Sequence, residues 1–340
     1  MNIKKKTILS AAVATMFAGS AMAETGLTVY GRANVSVEQQ KLGSQSDTVM
    51  VDNSSRVGIR AQRDLSSGMS AGAVLEAGTN LTSGSTKTNK LFAREASVAL
   101  NGGFGQVKLG RMPASVAYFA TADFVSNHNH DTGTSSDALY EFLATGSLSN
   151  AVGYASPVMG GLKLETQYGL KKGQGTGTSD SAVVSPVAMA MSYADGPMML
   201  GLGYERAQNP VLASTMPGST AAASQLTARA FYAMGPLGFG AYVQKSSGTR
   251  FDRTAYRLSA MYTVGQNEFH ANMGSAGNRD GVANTGAQQF TLAYNYNLDK
   301  QTKVYAFYTR IHQDSATNAY GGGSKGDAFS SMAAGVRYNF

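Results

Sequence analysis

The chain has 340 residues, no cysteine and no tryptophan, 40 glycines against seven prolines, and 28 basic against 21 acidic side chains, for a formal charge of +7. Without cysteine there is no disulfide framework and no thiolate metal site. A charge this mild, part of it carried by a segment that export would remove, makes no case for a nucleic-acid partner.

The N-terminus reads MNIKKKTILSAAVATMFAGSAMAE. Lys4, Lys5 and Lys6 form a basic region, Thr7 to Ala18 is mostly apolar, and Ala21-Met22-Ala23 has the small-residue spacing of a signal-peptide cleavage site. Residues 1–23 are therefore expected to leave on export. The remaining chain, 24–340, carries all 21 acids and all but three of the basic residues. After Ala23 no apolar run approaches the roughly 18 residues that a spanning helix needs. An exported, Cys-free chain rich in glycine and tyrosine suits an outer-membrane β-barrel or a soluble periplasmic protein, and the strand pattern has to choose.

Period-2 alternation recurs along the whole chain. LTVYGRANVSV sets Leu27, Val29, Val35 and Val37 against Tyr30, Arg32, Asn34 and Ser36. LKLETQYGL sets Leu162, Leu164, Tyr168 and Leu170 against Lys163, Glu165 and Gln167. YRLSAMY, EFHANM and FTLAYNYN repeat the scheme, with Tyr256, Leu258, Phe269, Met273, Phe290 and Leu292 on the apolar side. The last strand, MAAGVRYNF, alternates up to an aromatic C-terminal residue, Phe340. Each segment is a weak signal alone, but their succession is not. No segment holds a 3.6-residue apolar stripe over two turns.

The connections sort by length. Short ones rich in Gly, Pro, Asn or Asp fall at 101–103, 194–197, 235–236, 265–267 and 297–301. Longer polar stretches are expected at 39–50, 78–91, 111–147, 171–185, 207–224, 245–252, 275–285 and 313–327. Short and long alternate, which predicts an all-β fold of 16 antiparallel strands with both termini on the short-turn rim. In lipid a sheet must close to satisfy its backbone, so the expectation is a transmembrane barrel whose last strand pairs with its first. Arg337 and Asn339 then face water inside, and the aromatic end lies at the membrane interface.

Several stretches carry a family resemblance: TVYGRANVSVE, SSRVGIRAQRDLSSGMSAGAVLE at 54–76, FGQVKLGR at 104–111, YASPVMGGLKLETQYG at 154–169 and the terminal VRYNF. Together they resemble the general trimeric porins of Gram-negative bacteria, most closely the β- and γ-proteobacterial type, over nearly the whole mature chain. The resemblance implies a homotrimer of 16-stranded barrels in outer-membrane lipid and lipopolysaccharide, each passing small hydrophilic solutes and ions, with no cofactor and no metal. It also implies that the third long loop, 111–147, folds into the barrel and narrows the pore.

In such porins basic wall residues face acids on the inserted loop, and the field between them sets ion preference. Arg56 matches the family's constriction arginine, and alternation with Val57 and Ile59 points Arg56 and Arg60 inward. Arg32 is inward by the same rule. Arg94 matches a second wall arginine, although parity with Ala96, Val98 and Leu100 would turn it to lipid unless a bulge intervenes or it lies at the rim. Lys108, Arg229 and Arg257 are further inward candidates. The loop acids are Asp123, Asp131, Asp137 and Glu141, but the acidic motif of enterobacterial porins is not present. The family also often has an arginine in the strand after the loop, where this chain has inward Gly153 and Ala155.

Other readings stay open at this point. A channel preferring a sugar or organic acid would want an aromatic track, and Tyr30, Tyr242 and Tyr308 are the scattered inward candidates. A barrel enzyme would need a His-based set at a rim; four histidines exist, at 128, 130, 270 and 312, with no nucleophile elbow, P-loop or H-E-x-x-H pattern. His128 and His130 in NHNHD have no further Cys or His nearby and read as polar loop residues. The surface loops could also serve an adhesin or phage receptor.

Overall fold

A computed structural model describes residues 26–113, 115–125, 138–140, 143, 148–170, 184–208 and 221–340. The expected export segment, 1–23, lies outside the described residues. Sixteen strands close one antiparallel barrel. They are β1 (Gly26–Leu42), β2 (Gln45–Asp52 continuing as Arg56–Asp64), β3 (Ser70–Asn80), β4 (Glu95–Gly102), β5 (Gly105–Met112), β6 (Leu148–Ala155), β7 (Leu162–Gly169) and β8 (Val187–Asp195). The second half runs β9 (Met198–Gln208), β10 (Ala222–Met234), β11 (Leu237–Ser247), β12 (Arg253–Val264), β13 (Asn267–Ala276), β14 (Ala287–Asn297), β15 (Thr302–Gln313) and β16 (Phe329–Asn339). Each pairs with its sequence neighbours, and β16 pairs with β1 from Arg32↔Asn339 to Leu42↔Phe329.

The apolar face of every strand looks outward. Leu27, Val29, Leu258, Met273, Phe290 and Leu292 are all exposed, whereas Asn34, Ser36, Gln225, Thr227, Gln244, Asn272 and Thr291 are buried on the inner face. This inversion of a soluble protein's pattern suits a wall with hydrocarbon outside and water inside. Closure leaves no strand edge, and Phe340 finishes the seam. Its backbone exchanges two hydrogen bonds with Gly31, at 2.9 and 3.1 Å. Its ring lies over Gly31, where any Cβ would collide with it.

The short connections at 103–104, 196–197, 235–236, 265–266 and 298–301 lie where the sequence places them, all on one rim. One expectation fails. The first long connection, 39–50, is mostly strand, because β1 and β2 pair up to Leu42↔Gln45 and Gly43, at φ 58°, closes a tight reversal. A bulge interrupts β2 at Asn53–Ser55. Asn53 and Ser55 both oppose Asn34, through Asn53 N–H to the Asn34 carbonyl at 2.9 Å and Asn34 N–H to the Ser55 hydroxyl at 3.0 Å. Ser54 takes up the extra residue at φ 60°. The bulge shifts the parity of β2 by one, so Met50 and Val57 both face out and Arg56 faces in.

Candidate pore constriction

The third long loop enters the barrel, as expected. Its helix α1 (Val116–Val125) packs against the inner faces of β8, β9 and β10. The wall makes room with small residues. A Cβ on Gly203 would come within 2.8 Å of the Ala117 side chain, and one on Gly201 would strike the Ala120 carbonyl. Val116 and Ala120 fill the remaining space against Ala188 and Ala190. Polar bonds fix the helix: the Arg229 guanidinium donates to the Ala120 carbonyl at 2.9 Å, Val116 N–H donates to the Gln167 side chain at 3.1 Å, and the Thr121 hydroxyl meets that of Thr227 at 3.2 Å. Arg229 is thus inward, as predicted, and holds the helix.

A second anchor follows. Leu139, fully buried, inserts among Ala255, Ala276, Ala287, Ile311, Tyr320 and Phe329. Its carbonyl accepts from Arg253 at 2.8 Å. The ring of Tyr140 stands edge-on to Tyr242 at 4.7 Å, beneath the Arg257 guanidinium at 4.4 Å, and its hydroxyl donates to the Tyr256 carbonyl at 2.9 Å. Leu143 N–H reaches both Glu205 and Gln225 at 2.9 Å. The arginines of β10 and β12 therefore tether the loop, through cation–π contact and charge-assisted hydrogen bonds.

The opposite wall carries a basic ladder. Arg56 on β2 stands across from Arg32 on β1, and Lys303 on β15 stands across from Arg337 on β16, which in turn faces Asn34 of β1. Four inward cations thus sit on four consecutive strands that span the barrel seam. Arg32 donates to Asn339 at 3.0 Å, and Lys303 lies 3.9 Å from Glu268. Arg60 lies over the Tyr30 ring at 5.0 Å. That ring covers Gly58, where a side chain would collide with it, and its hydroxyl donates to Glu76 at 2.9 Å.

Arg94 also binds Glu76, at 2.6 Å. Its parity conflict is resolved without lipid exposure: Arg94 precedes the first residue of β4, so strand alternation does not govern it, and Glu76 draws it to the inner wall. Lys108 is inward and pairs with Glu95 at 3.0 Å. The inner face of Gly153 is covered by Met112, whose Cε would lie 2.9 Å from an added Cβ. Packing against Met112 occupies the inner space where an arginine side chain would have to stand.

Of the loop acids, Asp123 falls within α1, and Asp131, Asp137 and Glu141 lie outside the described residues, as do His128 and His130. Tyr30 and Tyr242 are inward, but Tyr308 faces out. β15 carries aromatics on both faces, with Tyr305 and Phe307 buried inside, which hides its parity in the sequence. For the same reason Lys303 escaped sequence reasoning. Glu76 also did, although its alternation with outward Ala73 and Leu75 marks it as inward. Among the described residues no group of three or more His, Cys, Asp or Glu side chains could hold a metal ion.

A sequence profile of the Gram-negative porin family matches residues 10–317. Outer membrane porin protein 32 of Delftia acidovorans is 26% identical over 365 residues, covering 99% of this chain and all of that one. An outer membrane porin protein of Bordetella pertussis is 27% identical over 371 residues, covering 89% of this chain and 93% of that one. An anion-selective porin from Comamonas acidovorans has the same fold at a TM-score of 0.75, with 22% identity, 93% of this chain and 100% of that one covered. The trimer form of Vibrio cholerae OmpT superposes at 0.67, with 14% identity and 94% and 100% covered. With a closed, outwardly apolar barrel, a loop folded into its lumen and a profile match over most of its length, the chain belongs to the Gram-negative porin family and is an outer-membrane channel for passive diffusion.

Proposed function

We propose that the pore favours anions, and that the ladder Arg56–Arg32–Arg337–Lys303, continued by Arg60 and Arg94, is the positive side of a transverse field. Asp123, Asp131, Asp137 and Glu141 of the inserted loop form its negative side. The observation that carries this reading is the placement of four cations on four adjacent inner faces, with Glu268 3.9 Å from Lys303 at one end. Low-dielectric barrel walls focus such a field across a narrow aqueous gap. The name of the Comamonas acidovorans relative, an anion-selective porin, agrees with it.

The chain works as a homotrimer, a reading supported by the trimer form of the Vibrio cholerae relative. Residues 1–23 act as a cleaved export signal, leaving 24–340 as the barrel. Passage needs no cofactor, and the solutes are small hydrophilic molecules and ions that diffuse down their gradients. The test is single-channel recording of the refolded protein in a planar bilayer under a KCl gradient. Three equal sub-levels per insertion and a reversal potential of anion-selective sign are expected; a cation-selective sign refutes the assignment of the ladder.

A further inference from the structure

Two pairs within the basic ladder, Arg32↔Arg56 and Lys303↔Arg337, are like charges directly opposite each other on adjacent strands, an arrangement that works against its own register. The row of side chains one pleat nearer the long-loop rim opposes that tendency. There Tyr305 of β15 is buried, and its ring lies across Gly335 of β16, where any Cβ would collide with it. The side chain thus reaches past its own neighbouring strand. Its hydroxyl donates to the Asn34 carboxamide oxygen of β1 at 2.9 Å and accepts from the Asn53 carboxamide, at the bulge in β2, at 3.0 Å. One phenol therefore links four consecutive strands across the barrel seam.

The bonding continues into the bulge itself. Asn53 Nδ2 also donates to the Ser36 hydroxyl at 2.9 Å, Asn34 Nδ2 donates to the Asn53 carbonyl at 3.0 Å, and the Ser55 hydroxyl donates to the Asn34 carbonyl at 3.2 Å. All four of these polar residues are buried, so a partner lost here is costly. Each part of the network adjoins a ladder cation: Tyr305 stands two residues from Lys303, Gly335 two from Arg337, Asn34 two from Arg32, and Ser55 directly precedes Arg56. A step of two returns to the same face, so network and ladder share the inner wall. Backbone pairing already closes β15, β16 and β1 over their length. The bulge is where pairing is irregular, and it is the bulge that turns Arg56 inward.

We propose that Tyr305 is a positioning residue for ion selectivity: its hydroxyl pins the bulge of β2 and so holds Arg56 in line with Arg32, Arg337 and Lys303. Without that hydroxyl, Asn34 and Asn53 each lose a buried partner, the bulge gains freedom, and repulsion from Arg32 moves Arg56 out of the row. The consequence for the pore rests on the ladder's proposed role in ion preference; the pinning itself does not.

The chain has no cysteine, so a nitroxide attached at Arg56→Cys reports the bulge alone. Its spectrum is compared with and without Tyr305→Phe, with folding checked by heat-modifiable gel mobility. Phenylalanine keeps the ring over Gly335 and removes two hydrogen bonds. At about fivefold per bond, the mobile component of the spectrum should grow roughly 25-fold. Gly335→Ala, which drives the ring from the seam, should act in the same direction. Tyr294→Phe, which loses a hydroxyl bond to Asn267 elsewhere on the wall, should leave the spectrum unchanged. In channels that retain Arg56, Tyr305→Phe should move the reversal potential toward zero with little change in single-channel conductance. An unchanged spectrum in Tyr305→Phe overturns the pinning, and a mobilised label with an unchanged reversal potential overturns the link to selectivity. A cation-selective wild type refutes the ladder's role alone, and the label still decides the pinning.

Discussion

Replacing Leu139 by alanine tests the loop anchor directly. The side chain is fully buried among aromatic, aliphatic and alanine side chains of the inner wall and its rim, so its truncation removes burial and leaves a cavity. Buried Leu→Ala changes cost about 3–5 kcal/mol. Taking the lower figure, and about 1.4 kcal/mol per decade, the population with this loop segment detached rises by roughly two orders of magnitude. The helix anchor, made by Arg229 and Gln167, is untouched. The expected phenotype is therefore local: the barrel stays folded, but the open-channel current acquires flicker between sub-levels and the mean conductance rises. Tyr140→Phe provides a graded control. It keeps the ring between Tyr242 and Arg257 and loses only the hydroxyl bond to the Tyr256 carbonyl, about 1 kcal/mol or roughly a fivefold change in the same population. Single-channel noise spectra at fixed voltage make the measurement. Wild-type noise and conductance in Leu139→Ala would refute the idea that this contact holds the loop in place.

Other consequences can be checked by the same recordings or by heat-modifiable gel mobility. Arg32→Ala/Lys303→Ala halves the ladder and should shift the reversal potential toward cations by several millivolts; no shift would remove these two residues from the selectivity filter. Glu76→Gln frees Arg94 and Tyr30 from a carboxylate bonded at 2.6 and 2.9 Å and should strengthen anion preference, so a shift toward cations would contradict its role as a local neutraliser. Gly203→Val places a branched side chain where even a Cβ would lie 2.8 Å from Ala117; the helix must move into the lumen, and conductance should fall, whereas unchanged conductance would place the helix elsewhere. Deleting Phe340 removes two seam hydrogen bonds, about 1 kcal/mol each, together with the ring over Gly31. The temperature at which the folded band is lost should drop by several degrees, and an unchanged temperature would mean that the seam does not limit barrel stability.

Alternation, strand number, closure and the short-turn rim were all legible in the sequence, since each rests on local chemistry. A strand between lipid and water must alternate every second residue, and a tight reversal needs residues that tolerate its backbone angles. The inward direction of Arg32, Arg56, Arg60 and Lys108 follows from the same parity. Parity fails wherever both faces are apolar or the strand is irregular. Tyr308 was misplaced because Tyr305 and Phe307 pack inside the same strand, and Arg94 was ambiguous because it stands just outside one.

The tertiary structure alone decided how these parts meet. Closure, which the sequence predicts, brings the chain's two ends together, but only the register of the strands sets Arg56, Arg32, Arg337 and Lys303 side by side as one ladder. Likewise, the glycines of β9 reveal their purpose only when α1 lies against them, and Leu139 and Tyr140 become anchors only when the far wall offers an apolar hole and an arginine. Period-2 patterning is a property of neighbours along the chain, whereas the pore is made by residues hundreds of positions apart, whose meeting depends on register and closure.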